Sequence, residues 1–250
     1  MSGDASGPRT ALITGAGQNI GRAIALRLAK DGFNIAINGR RKREQCDAVA
    51  DEIRAAGGVA HVFMADIGKD GEADALAKST LDRFGRVDVL VTNAAIRPAS
   101  PTLEMDLAEW REVLAVNFEA SFLLARATLP GMVEAGWGRI INFAGMNAIQ
   151  GYNGRAHVSA SKHAVWGLTK ALAKEFGAKG ITANVISPGP IRSDHDDPEM
   201  TAHINAQVTK IPMGRLGVPD EVAAAASLLA SDDGGFINGQ LIQVNGGTQT

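Results

Sequence analysis

The chain has one cysteine, one tyrosine and few aromatics, 5% of 250 residues, and it carries no large excess of either charge. A lone Cys46 excludes an internal disulfide and fits a reducing compartment. It lies in the charged stretch KREQCDAVADEI with no histidine near it in sequence, so it reads as an incidental residue rather than a nucleophile. A formal net charge of −2 and a sequence pI near 6.2 leave no global basic field to attract nucleic acid or an anionic membrane. No uninterrupted apolar run approaches the roughly 18–20 residues of a membrane span. The opening MSGDASGPRT is polar and lacks the apolar centre of a secretory leader. The five histidines show no metal-ligand spacing. These absences together predict a cytoplasmic globular protein with no nucleic-acid partner, no membrane partner and no metal.

What is present is alternation. Seven short apolar β-type runs, at 11–14, 34–38, 59–64, 87–92, 139–144, 181–186 and 241–244, are separated by helical periodicity. Strands that alternate with amphipathic helices need crossover connections, and right-handed crossovers build a parallel sheet covered on both faces. The expected fold class is therefore α/β, a single Rossmann-type doubly wound parallel sheet occupying residues 1–250. No linker, repeat or low-complexity tract divides it. The least regular stretch, 188–213, mixes proline, charge and a short helical pattern, and it reads either as a substrate lid near 190–213 or as a plain surface excursion.

After the first strand comes Thr14-Gly15-Ala16-Gly17-Gln18-Asn19-Ile20-Gly21, which opens a helical run. Glycines 15, 17 and 21 at a strand-to-helix turn let the backbone approach a pyrophosphate at a helix N-terminus. The second strand ends in Asn38-Gly39-Arg40-Arg41, where a carboxylate would bind ribose hydroxyls and repel a 2′-phosphate. No acid stands there, and Arg40 and Arg41 can bond a phosphate, so NADP(H) is favoured over NAD(H). Asp66, ending the third strand in MADI, is placed either to accept from an adenine amino group or to cap a helix.

With these residues the chain resembles the short-chain dehydrogenase/reductase family over its whole length. TGAGQNIG is similar to the family's TGxxxGxG loop, with Asn19 where glycine is usual, and VDVLVTNAA is similar to the strand ending in NNAG, keeping Asn93 and Ala94. Asn117 matches the family's helix asparagine in the proton relay, and Lys162 its active-site lysine. ISPGPIRS resembles the loop that contacts the nicotinamide amide. The resemblance implies a cofactor surface made of Gly15, Gly17, Gln18, Asn19, Ile20, Gly21, Arg40, Arg41, Asp66, Ile67, Asn93, Ala94, Lys162, Pro188, Gly189 and Ile191. It also implies a homotetramer.

The same resemblance breaks at the catalytic pair. The family's tyrosine, four residues before the lysine, falls on Val158, and its serine, thirteen residues earlier, falls on Gly145. Neither side chain can move a proton or donate a hydrogen bond. General acid catalysis is worth ~10²–10⁴-fold and an oxyanion donor ~10²–10³-fold, so their loss has a large cost unless something substitutes. Tyr152, six residues before the vacant position, is a candidate substitute acid or else a packing residue. His157 should point about 100° away from the side of Val158 and reads as a surface or interface histidine. Gly145, Asn147 and Val158 are expected to line the substrate pocket together with Met146, and Asn147 could donate to a substrate oxygen. His195 lies in the expected lid, where a solvated loop histidine is the plainer reading.

The leading expectation is an NADP(H)-dependent oxidoreductase acting on a carbonyl or hydroxyl substrate, 3-oxoacyl-reductase-like, with an atypical site built on Asn117 and Lys162. The alternative is a catalytically silent NADP-binding module, a sensor or the non-catalytic partner of an active homologue. A lyase or dehalogenase on the same fold is the third; dehalogenases of this sort keep Ser and Tyr and give up the cofactor loop, the reverse of the pattern here.

Overall fold

The structure is a computed structural model, and it describes residues 7–193, 206 and 208–250, with the side chain of Asn147 excepted. Seven strands form one parallel sheet: β1 (Thr10–Ile13), β2 (Asn34–Gly39), β3 (Ala60–Met64), β4 (Val89–Thr92), β5 (Gly138–Phe143), β6 (Ile181–Pro188) and β7 (Leu241–Val244), in the order β3-β2-β1-β4-β5-β6-β7. All seven apolar runs are strands. The register pairs Thr10 with Asn34 on one side of β1 and Ala11 with Val89 on the other. Strand order reverses between β1 and β4, which opens a crevice at their carboxyl ends, the place where such sheets bind ligands.

The central strands are buried along their whole length, because helices cover both faces. Alternation splits each strand between two cores. Ile13, Ile35, Ile37 and Val91 pack on one face with residues of α1 (Asn19–Lys30), α2 (Arg43–Ala55) and α8 (Pro219–Ala230). Leu12, Leu90 and Ile140 pack on the other with residues of α3 (Glu72–Phe84), α5 (Ala120–Ala135) and α7 (Ala156–Phe176). A one-residue slip in β1 would exchange Leu12 for Ile13 and mismatch both layers.

α4 (Leu107–Leu114) runs into α5 through a π-helical turn, Ala115–Glu119. The whole stretch Leu107–Ala135 is long and apolar enough by composition to cross a membrane, but half of its apolar window is buried, as in a core helix. A short helix, α6 (Asn147–Gln150), precedes α7.

Candidate active site

The cofactor end is built by close approach. Gly21 faces the Gly15 carbonyl so tightly that an added Cβ would overlap that oxygen and lie 2.7 Å from Asn93 Nδ2. Asn93 in turn donates from Nδ2 to the carbonyls of Thr14 and Gly15, both at 3.1 Å, and Thr14 Oγ1 accepts from Ala94 N at 3.0 Å. The β4 end thus fixes the turn after β1. Asn19 has φ +49, the one positive value among described non-glycine residues. Asparagine tolerates that conformation better than other side chains do, which explains how it replaces glycine here. Gln18 precedes α1 in extended conformation, its side chain does not cap the helix, and no acid stands in the first turn. No side chain of Gln18 or acid of the first turn thus competes at the positive end of the α1 dipole, an arrangement that suits a pyrophosphate. Cys46 is buried beneath this turn, its Sγ 2.9 Å from where a Gly17 Cβ would sit, and burial raises its thiol pKa.

At the far end of the crevice, buried Asn38 spends its amide on the Phe63 and Ala65 carbonyls at 3.2 and 3.3 Å, tying β2 to β3. Arg40 Nη1 lies 3.9 Å from both Asp66 Oδ2 and Glu112 Oε1, loose pairs that a stronger anion would displace. Arg41 is exposed. Asp66 is not a helix cap: α3 starts at Glu72 behind Gly71, and Asp66 Oδ1 accepts instead from Gly68 N at 3.4 Å. Ile67 is buried beside it in the core with Leu76 and Ala77. Ile20 packs against the α1 side of the sheet.

The catalytic end centres on α7 and the π turn. Lys162 is buried, and its Nζ donates to the Phe143 carbonyl at the end of β5, at 2.8 Å. Burial lowers its pKa to about 7, with the charge of Arg97 adding to the effect. Asn117 sits inside the π turn, a widened helical geometry frequent at functional sites. Its Oδ1 accepts from Ile96 N at 2.9 Å, and its Nδ2 donates to Ile96 O at 3.0 Å and Ser161 Oγ at 3.2 Å. Ser161 closes the loop by donating to the Val158 carbonyl at 2.8 Å. Asn117 is thus tied through one hydroxyl to Ser161, the residue that precedes Lys162 on α7.

Val158 is 1% exposed and therefore lies behind the cleft surface rather than lining it open. Gly145 has φ +101, and an added Cβ would meet nothing within 4 Å. Tyr152 is half exposed; its ring carries the Arg155 guanidinium at 5.1 Å and its hydroxyl makes no hydrogen bond with described residues. The surface or interface reading of His157 is corrected: the residue is fully buried, with Nε2 3.0 Å from Glu109 Oε1 on α4. The 100° offset from Val158 turned it into the α4–α7 contact rather than into water. After β6, Gly189 N donates to Val244 O at 2.9 Å, an added Cβ at 189 would press on Asn245, and Ile191 bridges to Gly217. Pro188 ends β6. His195 and most of the expected lid lie outside the described residues.

Two site residues escaped the sequence reading. Arg97 follows Ile96 on the loop after β4 and Arg155 immediately precedes α7. Their signal was faint: single arginines in loops, one directly after the TNAAI segment and one three residues after the only tyrosine.

A parallel sheet with its crevice at the β1/β4 reversal, a glycine turn against an uncapped helix and a buried lysine define a Rossmann-type dinucleotide-binding protein. A family model described as Enoyl-(Acyl carrier protein) reductase matches residues 15–249. The chain is 40% identical over 242 residues to a 3-oxoacyl-[acyl-carrier-protein] reductase of Synechocystis, covering 96% of each, and 37% identical over 239 residues to one from Staphylococcus aureus, covering 96% of this chain and 97% of that one. Among solved structures it superimposes with TM-score 0.88 on a Beutenbergia cavernae protein described as a candidate NAD(P)-dependent gluconate 5-dehydrogenase with NADP at low occupancy, 40% identical and covering 97% of both chains. The chain belongs to the short-chain dehydrogenase/reductase family.

Proposed function

We propose that the protein is an NADP(H)-dependent oxidoreductase that interconverts a carbonyl and a hydroxyl group, with Lys162 exchanging the proton that tyrosine handles in its relatives. The observation that carries this reading is the buried Lys162, held at 2.8 Å from the Phe143 carbonyl with its pKa brought down to about 7. A proton-transfer group works best with a pKa near the operating pH. One of the three ammonium protons is spent on Phe143, which leaves others to give.

Gly15, Gly17, Gly21 and the first turn of α1 would hold the pyrophosphate, Asn93 and Ala94 the nearby ribose and base edges, Lys162 the nicotinamide ribose, and Pro188, Gly189 and Ile191 the carboxamide. When bound, the cofactor supplies or accepts a hydride at the substrate carbon. In the reducing direction, Lys162 Nζ gives a proton to the developing alkoxide and regains one from solvent; in the oxidising direction neutral Nζ takes it. Asn117 ties the loop after β4 to Ser161, one residue before Lys162 on α7. Preference for NADP(H) rests on Arg40 and Arg41 with no acid at the end of β2. The relatives described as 3-oxoacyl reductases and as a gluconate dehydrogenase support a carbonyl or hydroxyl substrate without choosing between them.

A fluorescence titration with NADPH and NADH, followed by turnover on a panel of oxo compounds, tests the proposal. Tighter NADPH binding and turnover that disappears in Lys162→Met is the expected outcome. The second reading, a silent NADP-binding subunit beside an active homologue, is favoured by the side-chain-free Gly145 and the buried apolar Val158. It predicts NADPH binding without turnover and co-purification of an active relative.

A further inference from the structure

Two further cations stand near Lys162 that the proton-transfer scheme does not use: Arg97, whose charge acts on Lys162, and Arg155, whose charge acts on Arg97. Arg97 and Arg155 stand on two loops joined by one backbone bond, Ser100 N to Gly154 O at 2.7 Å. Each loop is anchored next to its arginine. Asn117 grips Ile96 at both its N–H and its carbonyl, at 2.9 and 3.0 Å, one residue before Arg97. Arg155 is tied by its own N–H to the Tyr152 carbonyl at 3.1 Å, and its carbonyl accepts from Ser159 N at 3.0 Å in the first turn of α7. Its guanidinium lies over the Tyr152 ring at 5.1 Å, which leaves the fork edge free.

No carboxylate among the described residues pairs with either guanidinium, whereas most other arginines of the chain have a partner. The nearby acid Glu109 is taken by His157. The three cations sense one another: Arg97 depresses Lys162, and Arg155, after loss of surrounding water, depresses Arg97. Arg97 is exposed, and partial loss of surrounding water disfavours its charged form. Pre-positioned cations that repel one another are relieved by an anion placed between them. An arginine fork matches a carboxylate or phosphate in two parallel bonds.

We propose that Arg97 and Arg155 form an anion subsite at the mouth of the cleft that seats a carboxylate or phosphate on the substrate, with the reacting carbon held toward Lys162. The inference rests on the reading of this cleft as the substrate site and deepens it: the substrate is a small oxo or hydroxy compound with an anionic end. The subsite also compensates for Gly145 and Val158, because orientation comes from the far end of the substrate rather than from donors at the reacting oxygen.

Calorimetric titration of the NADPH-saturated protein tests it with two matched pairs: a hydroxycarboxylate against its methyl ester, and acyl phosphopantetheine against the same acyl pantetheine. The wild type should bind the charged member of one pair at least roughly 10-fold more tightly, and the pair that shows the difference identifies carboxylate or phosphate as the ligand. Arg97→Met and Arg155→Met should each erase roughly 10- to 100-fold of that preference, and Arg97→Lys should restore part of it. NADPH affinity, measured on the same samples, should stay unchanged in all three variants and reports that they are folded. Equal binding of charged and neutral members by the wild type, or a preference that survives both methionine variants, overturns the subsite while NADPH binding stands. Absence of NADPH binding by the wild type instead overturns the oxidoreductase reading and the subsite with it.

Discussion

Lys162 Nζ donates to the carbonyl oxygen of Phe143 across the end of β5, at 2.8 Å, and this contact keeps a cation in a buried position with no carboxylate partner among the described residues. A carbonyl dipole compensates the lost water only in part, so the ammonium form is penalised and the pKa falls from 10.5 to about 7.

The sign of the stability effect follows. Below about pH 7 both folded and unfolded chains hold the lysine proton, and the folded chain bears the full cost of the buried charge. Between about 7 and 10.5 the unfolded chain binds the extra proton, so stability rises with pH across that window. Lys162→Met should therefore melt higher than the wild type at pH 6, with the gap closing toward pH 10, while turnover is lost. Thermal unfolding at a series of pH values checks this.

Asn117 is a positioning residue as well as a relay candidate. Asn117→Ala leaves Ile96 N and Ile96 O without their partner and Ser161 Oγ with the Val158 carbonyl alone, and a polar group left unpaired away from water costs about 1–3 kcal/mol. The expected destabilisation is about 2–4 kcal/mol by denaturant unfolding. Hydrogen exchange should show earlier opening of the loop around Ile96.

Restoring the family's serine is predicted to fail on backbone grounds. Gly145 has φ +101, open to glycine and unfavourable to any L side chain, although space for a Cβ is free. Gly145→Ala should cost about 1–3 kcal/mol through this strain alone. Gly145→Ser with Val158→Tyr should be less stable than Val158→Tyr by a similar amount, measured by urea unfolding.

Arg40 offers a test of cofactor choice. Its two acidic neighbours stand 3.9 Å away, a distance at which a partly exposed pair contributes little. Arg40→Asp should weaken NADPH binding roughly 10- to 100-fold through a lost charge-assisted bond and a new repulsion, and leave NADH binding within a few-fold. Competitive titration of the two cofactors reads the ratio.

All seven strands were legible because a sheet buried on both faces writes itself as short apolar runs between helical repeats, and β1 to β7 fall on those runs within a residue or two at most ends. The glycine turn was equally readable, since Gly21 tolerates no Cβ and Asn19 needs a left-handed backbone. The catalytic end was less so. His157 looked like a surface residue because its partner Glu109 is far away in sequence, and helical phase shows direction but not what lies there. Asp66 looked like a possible cap because α3 begins later than its spacing suggested. Arg97 and Arg155 carry no pattern at all, and the bond from Ser100 to Gly154, far apart in sequence, joins their loops.

The most direct test of the central claim is deuterium transfer from C4-deuterated NADPH to an oxo substrate, read by mass spectrometry of the alcohol formed. The account predicts labelled alcohol from the wild type, no label from Lys162→Met, and a rate that Tyr152→Phe leaves within a few-fold. NADPH that binds tightly yet delivers no label to any member of a broad carbonyl panel would contradict it, and label transfer that survives Lys162→Met would show that another group moves the proton.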